Sequence, residues 1–254
     1  MSSLAKDNTV ITQQCKKRIF KDVLEIINCP LTDNNIYYKH ADDNILKGHA
    51  TIIGPSDTIY EYGIYEFDFE FPTDYPFSPP KLKYLTNDKN STRFHPNLYR
   101  SGKVCISILN TWNGEQWTSC QTISTILLTL VTLFHNNSLL NEPGIAKTHR
   151  DFKNYHTIIK FRNYEHALCA CLFKHYKKIK TGTYDEDLKT FLDEKIIKNK
   201  DTIIKHISDA IGDKKDDTFD NTCLRTGIYS ITANINYVNV LAEIKRIFNF
   251  IQTV

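Results

Sequence analysis

The sequence predicts an α+β fold, in which a helix leads, an antiparallel sheet follows, and further helices come after a long loop. Two observations support this prediction. The segment "IYEFDFEF" alternates apolar and acidic residues, which is the two-residue period of a strand with one buried face. After residue 122, apolar residues recur three and four positions apart, which is the period of an amphipathic helix.

The composition is that of a folded protein with a sizeable core. The chain has 254 residues, of which 41% are hydrophobic, a length that suits one larger domain and a smaller one. Its net charge of +3 does not indicate nucleic-acid binding, which needs a clustered basic face. The longest apolar run, "ISTILLTLVTLF", is too short and too rich in Thr to predict a membrane span.

Cysteine usage indicates a reducing compartment. The seven cysteines are odd in number and irregular in spacing, and the first residues lack the apolar stretch of a secretory leader. These features argue against a disulfide framework. We therefore expect a cytoplasmic or nuclear protein.

The first predicted elements are a helix and three strands. The segment "QQCKKRIFKDVLEII" has helical spacing of its apolar residues, which are Ile19, Val23, Ile26 and Ile27. "HATII" predicts a strand, and "GPSDTIYEYG" predicts a turn. In "IYEFDFEF" we expect the aromatic residues in the core and the acidic ones, including Glu66, in water. "KLKYL" predicts a short strand, whereas the four prolines of "PTDYPFSPP" exclude a helix or a central strand.

The second half is predicted to be helical after an irregular segment. Residues 87–121 have little regular pattern, but they contain both tryptophans, which favours a functional loop over disorder. A helix is predicted from Ile123, and another beyond the loop "HNNSLLNEPG". After Thr181 the chain becomes charged, with a polar break at "DKKDDTFDNT". We expect added helices there, the last with an apolar stripe of Val240, Ile244, Ile247 and Ile251.

Cys105 is the first candidate for chemistry, because it lies in the irregular segment. A cysteine nucleophile acts as its thiolate, and a hydrolase would pair it with a histidine base. His95 is near in sequence, but it stands between Phe94 and Pro96, a position typical of packing. From the residues alone, a structural cysteine is the commoner outcome.

Four motifs in order resemble those of ubiquitin-conjugating enzymes. They are "HPN" followed after seven residues by Cys105, "GPSDTIYEYG", "FPTDYPFSPPK" and "QWTSCQTIS". The insertion "NTWNGEQW" and the text "NEPG" are most similar to the long Z-type members, which carry a helical C-terminal extension. The resemblance implies a tail at residues 1–12, a conjugating core with a four-stranded antiparallel meander at 13–178, and a helical extension at 179–254.

The resemblance also implies an activity. Members of the family accept ubiquitin or a ubiquitin-like modifier from an activating enzyme as a cysteine thioester. They then pass it to a substrate lysine, usually with a RING or HECT ligase. Cys105 is the implied carrier, and it needs an open groove with room for an extended peptide tail. No bound cofactor is implied, because the activating enzyme uses the ATP.

Three further residues are implied to assist the transfer. The Asn97 amide either stabilises the oxyanion of the thioester under attack or braces the loop. An acidic residue after the long helix often helps to deprotonate the lysine, and Glu142 or Asn141 stands there. A solvated loop acid is the alternative for Glu142. Ser107 replaces an Asp that many relatives have, and His95 is expected to be a structural hydrogen-bonding residue.

The resemblance places partner-binding residues on two surfaces. The first helix presents basic residues that match a face for activating enzymes and ligases, namely Lys16, Lys17, Arg18 and Lys21. Phe77 matches an exposed anchor for ligases, although a core position is common for Phe. Ser119 replaces a family Pro and precedes Cys120, which casts doubt on ordinary RING binding. Trp117 is expected to pack beneath this loop.

Other functions have weaker support. A non-catalytic module of the same fold would not need Cys105 and Asn97, and a cysteine hydrolase lacks a recognisable histidine partner. His166, Cys169, Cys171 and His175 do not predict a zinc site, because Cys-x-Cys on a helix points its two sulfurs to different sides. No glycine-rich phosphate loop occurs, so direct use of ATP is not expected.

Overall fold

The computed structural model describes residues 11–182, 184–212 and 222–253. The predicted N-terminal tail, apart from Ile11 and Thr12, lies outside the described residues, and so does the predicted polar break, apart from Thr222. None of the helices in the described ranges is long and apolar enough to cross a bilayer.

Helix α1, Gln13–Asn28, is capped at its N-terminus by Thr12, whose hydroxyl accepts the Cys15 backbone N–H at 3.1 Å. Its core-facing side includes Cys15, Ile19 and Ile26. Ile27, which was predicted to share that side, is 64% exposed. Ile27 is rotated by about 100° from Ile26, and on this helix the rotation carries its side chain away from the core and into solvent.

Four strands form the predicted antiparallel meander, in the order β1-β2-β3-β4. They are β1 Ile36–His40, β2 Lys47–Ile53, β3 Ile64–Glu70 and β4 Lys81–Tyr84. β3 has the predicted aromatic face, with Tyr65, Phe67 and Phe69 buried. β1 lies within a stretch that was predicted only as polar, because "YYKH" shows no clear alternation of apolar and polar residues.

Glu66 is buried, contrary to the prediction that the acidic side of β3 faces water. Its carboxylate lies 3.0 Å from Lys174 Nζ, 3.4 Å from His175 Nε2 and 3.6 Å from His49 Nε2. Burial alone would raise the pKa of Glu66, but the nearby His175, His49 and Lys174 keep it well below its usual range. The sheet therefore meets a later helix through a paired charge rather than through solvent.

The core is completed by α2, Ile123–Thr132, and by a long helical rod. The rod runs through α3 Phe152–Arg162, a π-helical stretch Asn163–Ala170, and α4 Cys171–Lys180. Thr122 and Thr125 form a capping box at the start of α2, which places Ile123, Ile126, Leu127 and Leu130 in the core.

The C-terminal extension contains helices α5 Glu186–Lys195, α6 Lys200–Gly212 and α7 Tyr237–Ile251, as the apolar patterns predicted. It also contains a hairpin of β5 Thr222–Arg225 and β6 Thr232–Ile235, which was not predicted. Of the predicted α7 stripe, Val240, Ile244 and Ile247 are buried. α7 packs on the rod, while the hairpin packs on α3. The domain boundaries stay a prediction.

Candidate active site

The loop between β4 and α2 carries Cys105 on a turn that is tied to the sheet edge. Lys83 pairs with Lys103, and Leu98 with Val104, in short antiparallel bridges. The Cys105 N–H donates to the Asn97 carbonyl at 2.9 Å. These bonds place the two predicted site residues side by side.

The Cys105 thiol is covered, which corrects the expectation of an open groove. The residue is 3% exposed, and its Sγ donates to the Thr111 carbonyl at 2.7 Å. Thr111 belongs to a covering loop, residues 110–116, which is itself exposed throughout. Its hydroxyl also accepts the Ile106 N–H at 3.0 Å, which fixes the loop to the Cys105 turn. Cys105 does not belong to the apolar core cluster.

A groove of about 580 Å³ lies beside the first residues of the covering loop, Asn110 and Thr111. Its lining includes Thr111 and Val104 from the Cys105 turn and Pro79 and Leu82 from the sheet edge. The groove is therefore lined by Val104, the residue before Cys105, and by Thr111, whose carbonyl accepts the Cys105 thiol.

The Asn97 side chain is already engaged by the loop. Its Nδ2 donates to the Cys105 carbonyl at 2.6 Å, and its Oδ1 accepts from Asn141 Nδ2 at 3.4 Å. This is the bracing geometry, and an amide nitrogen keeps a second N–H that an oxyanion can accept from. Both alternatives for Asn97 thus remain chemically available together.

Asn141 and Glu142 point to different neighbours. Asn141 is exposed and adjoins Asn97, so it lies at the candidate site. The Glu142 carboxylate accepts from the Tyr229 hydroxyl and lies 4.0 Å from Arg93 Nη2. Glu142 is therefore not the solvated loop acid considered from the sequence, because two groups of the protein already hold one of its oxygens.

His95 is fully buried, and its Nδ1 accepts the Asn97 N–H at 3.0 Å. Burial, together with the charges of His135 and Arg93, lowers the pKa of His95 to about 3. The imidazole is therefore neutral near pH 7 and supports the Asn97 backbone.

The basic face of α1 is smaller than predicted. Lys16, Lys17 and Lys21 are exposed. Arg18 instead binds Asp22 at 2.7 Å and donates to the carbonyls of Ser119 and Gln121, each at 2.5 Å. Its guanidinium joins α1 to the loop before α2, which a helical pattern alone does not reveal.

The second predicted surface is exposed. Phe77 is 65% exposed, which excludes the core alternative, and Ser119 and Cys120, on the loop before α2, are exposed as well. Trp117 is buried, and its indole N–H donates to the Pro76 carbonyl at 2.7 Å. Trp117 thus fixes the loop that presents Phe77.

The residues named for a zinc site have separate partners. His166 lies 3.3 Å from Asp88, while His175 lies 3.4 Å from Glu66 and 2.8 Å from the Tyr184 hydroxyl. Within residues 11–182, 184–212 and 222–253, no group of three or more His, Cys, Asp and Glu side chains is placed to hold a metal ion.

Thr111, Arg93 and Tyr229 were not identified from the sequence, although each contacts a predicted site residue. Thr111 lies in the insertion "NTWNGEQW", only six residues after Cys105, and that proximity was a usable signal. Tyr229 lies 87 residues after Glu142, and no local pattern connects them.

Comparisons with known proteins give a consistent result. A family model described as "Ubiquitin-conjugating enzyme" matches residues 18–162, more than half of the chain. "Ubiquitin-conjugating enzyme E2 Z" of Danio rerio is 40% identical over 65% of this chain and 51% of that protein, and the Homo sapiens protein of that name is 40% identical over 61% and 44%.

A further relative aligns with more of the chain. "Probable ubiquitin-conjugating enzyme protein 17" of Caenorhabditis elegans is 35% identical over 78% of this chain and 29% of that protein. A solved structure of human ubiquitin-conjugating enzyme E2 G1 is 28% identical and covers 48% of this chain and 96% of its own, with a TM-score of 0.41. The chain spans about half the length, or less, of the curated relatives named here.

Proposed function

Because the chain belongs to the ubiquitin-conjugating enzyme family and is similar to its Z-type members, we propose that it carries a modifier as a thioester on Cys105. The modifier is ubiquitin or a ubiquitin-like protein, and the acceptor is a lysine amine. The observation that carries the proposal is the pairing of Cys105 with the Asn97 amide, 2.6 Å from the Cys105 carbonyl, inside the region that the family model matches.

The reaction has two acyl transfers. The Cys105 thiolate attacks the thioester carbonyl on the activating enzyme, a new C–S bond forms, and the activating enzyme's thiolate leaves and takes up a proton. A lysine nitrogen then attacks the same carbonyl carbon, the bond to Cys105 breaks, and the amine loses a proton as the amide forms. No bound cofactor is required, since the activating enzyme spends the ATP before the first step.

Loading requires the covering loop to move. The thiol is 3% exposed, but the loop over it is solvent-exposed and is held to the sulfur by one hydrogen bond from Cys105. Opening also breaks the bond between the Ile106 N–H and the Thr111 hydroxyl, and each such bond costs about 0.5–1.5 kcal/mol, which thermal motion or a partner's contacts supply. The groove beside Thr111 then accommodates the modifier's tail.

Asn97 serves the second step, the attack of lysine on the thioester, in this proposal. Its bond to the Cys105 carbonyl keeps the amide beside the sulfur, and the spare N–H stabilises the oxyanion. Asn97→Ala should therefore load normally and discharge onto lysine about 10²–10³ times more slowly. Equal discharge rates would leave Asn97 without a catalytic role.

Partners dock on the exposed surfaces. Lys16, Lys17 and Lys21 on α1 offer positive charge to an activating enzyme, and Phe77 offers an apolar anchor to a RING or HECT ligase. Arg18 is left out of this surface, because its guanidinium is used within the chain.

A non-catalytic interaction module is the second candidate. The observation that favours it is the burial of the Cys105 thiol, which a module without thioester chemistry can tolerate. The two candidates differ in one outcome, since only the enzyme forms a thiol-sensitive adduct.

The experiment is a loading assay with ATP, an activating enzyme and ubiquitin, repeated with a panel of ubiquitin-like modifiers. We expect one adduct that thiol reductant removes, none with Cys105→Ala, and normal loading with Cys29→Ala, which changes an exposed cysteine remote from the loop. An adduct that persists in Cys105→Ala would place the chemistry on another residue. No adduct with any modifier would favour the interaction module.

A further inference from the structure

The turn of the C-terminal hairpin, residues 226–231, is held close to the active-site loop by two hydrogen bonds. Its Ile228 N–H donates to the buried Asp151 carboxylate at 2.8 Å. Arg100 donates to the Tyr229 carbonyl at 2.5 Å. The Thr226 N–H closes the turn onto the Ile231 carbonyl at 3.0 Å. The extension is thus bonded to the region that carries the candidate site.

The backbone of this turn is strained in a way that aims one side chain. Tyr229 and Ser230 have φ values of 57° and 48°, in the left-handed region that non-glycine residues disfavour. Such conformations persist when surrounding contacts over-determine them, and they are concentrated at functional sites. Here the contacts from Asp151 and Arg100 hold the turn so that the Tyr229 side chain reaches the active-site loop.

The Tyr229 side chain makes two contacts there. Its hydroxyl donates to Glu142 Oε2, and its ring lies 4.1 Å from the Arg93 guanidinium, measured from Cζ to the ring centroid. The Tyr99 ring covers Arg93 as well, at 3.8 Å. Burial raises the pKa of Tyr229, with the bond to Glu142 acting in the same direction, so the hydroxyl remains a donor near pH 7.

These contacts connect both sides of the candidate site. Arg93 donates to the Pro96 carbonyl at 2.5 Å, directly before Asn97 in the chain. Glu142 directly follows Asn141, whose amide adjoins Asn97. The Tyr229 hydroxyl is therefore one attachment of the segment that holds Asn141 against Asn97, and His135 Nε2, 3.3 Å from Asn141 Oδ1, is another.

We propose that Tyr229, carried by the C-terminal extension, is a positioning residue that holds the Asn141–Glu142 segment against Asn97 during transfer to lysine. This inference rests on the proposed function. It also assigns Glu142 as the tether for the extension, rather than as the base that deprotonates the incoming lysine.

The first test compares two Tyr→Phe variants, each of which removes one hydroxyl group. Tyr229→Phe removes the hydroxyl and keeps the ring over Arg93, while Tyr99→Phe removes the hydroxyl of the other ring over Arg93, to which no described residue hydrogen-bonds. Loaded protein is mixed with free lysine over a range of concentrations, and the loss of thioester is followed.

We expect Tyr229→Phe to load normally and to discharge about twofold to tenfold more slowly at saturating lysine, the factor that one ordinary hydrogen bond supplies. The lysine concentration at half-maximal rate should stay unchanged, because Tyr229 does not contact the amine. Tyr99→Phe should behave as the wild type. Glu142→Gln, which keeps an acceptor oxygen, should retain most of the discharge rate and its pH profile, whereas a large loss would restore Glu142 as the base.

The second test needs no modifier. Backbone hydrogen exchange at residues 139–142 of the unloaded protein should be faster in Tyr229→Phe than in the wild type or Tyr99→Phe. Unchanged exchange would overturn the tether. Faster exchange with unchanged discharge would overturn the positioning role while leaving the proposed function intact. A wild type that loads no modifier would instead overturn the proposed function, and the catalytic half of this inference with it.

Discussion

His95 is the residue at the site whose charge state is most strongly set by its surroundings. It is fully buried beside Asn97, and burial together with His135 and Arg93 lowers its pKa from 6.5 to about 3. Its Nδ1 accepts the Asn97 N–H, so the single ring proton is on Nε2. Protonation of the folded form would break that bond.

This environment predicts a loss of stability in weak acid. Below pH 6.5 the unfolded chain gains a proton on His95 while the folded chain does not, so the free energy of unfolding falls as the pH falls toward 3. The slope from this group approaches about 1.4 kcal/mol per pH unit between those values. Urea unfolding of the wild type and His95→Gln from pH 8 to 4.5 measures it.

The difference between the two proteins isolates His95 from the other histidines. We expect that difference to be constant above pH 7 and to shrink progressively below pH 6.5. A difference that stays constant down to pH 4.5 would mean that His95 is protonated in the folded protein. The contribution of His49 to the free energy of unfolding changes with pH in the opposite direction. Asp68 and Glu66 outweigh the burial of His49 and raise its pKa to about 9.

At the residue scale, contacts between site residues that are close in sequence were predicted, whereas contacts with distant parts of the chain were not. Asn97 and Cys105 are eight residues apart, and their pairing follows from one short turn. The cover over Cys105 was not predicted, because exposure depends on how the insertion folds. Glu142 was considered as a base or a solvated acid, since its partner Tyr229 comes from a distant part of the chain.

The covering loop is the element that controls access to Cys105. Gly114 lies within this loop and has a φ of 131°, and a Cβ at this position would lie 3.0 Å from Ser107 Cβ. Gly114→Ala should therefore destabilise the closed loop by about 1–3 kcal/mol and open the thiol more often.

We expect Gly114→Ala to raise the alkylation rate of Cys105 by iodoacetamide about fivefold or more, as followed by mass spectrometry of the labelled peptide. In the wild type, Cys105 should react more slowly than the exposed Cys29 and Cys120. Gly182→Ala is the control, because Gly182 has φ of 77° but no atom within 4 Å of an added Cβ. A wild-type Cys105 that reacts as fast as Cys29 would show that the loop does not cover it.

Elements with a regular pattern were predicted, and those stabilised by distant partners were not. The alternation in β3 and the apolar stripes of α2 and α7 are local signals. β1 was missed because its burial comes from pairing with β2 rather than from its own pattern. The β5–β6 hairpin was also missed, because its strands are short and partly polar.

At the scale of the whole molecule, the extension packs on the conjugating core rather than standing apart. Tyr237 packs edge-on against Phe161 with ring centroids 5.4 Å apart, and Phe250 lies 5.4 Å from Phe173. α7 residues such as Ile244 are fully buried in the same apolar cluster as the core. Core and extension should therefore unfold together.

Ile244→Ala should lower the free energy of unfolding by about 2–5 kcal/mol, because it leaves a cavity between α7 and its neighbours. Val238→Ala, at a half-exposed position of the same helix, should change it by about 0.5 kcal/mol or less. Fluorescence reports the two tryptophans of the active-site segment, and circular dichroism reports all helices. Coincident urea transitions are expected, and separate ones would mean that the extension unfolds independently.

The proposed function requires the Cys105 sulfur to be the acyl carrier, and the serine variant tests this requirement directly. Cys105→Ser exchanges the thioester for an oxygen ester that reductant does not cleave. After incubation with activating enzyme, ATP and the modifier that loads the wild type, proteolysis and mass spectrometry should find the modifier's C-terminal remnant on residue 105 alone. A remnant on any other side chain, with residue 105 unmodified, would contradict the assignment of Cys105.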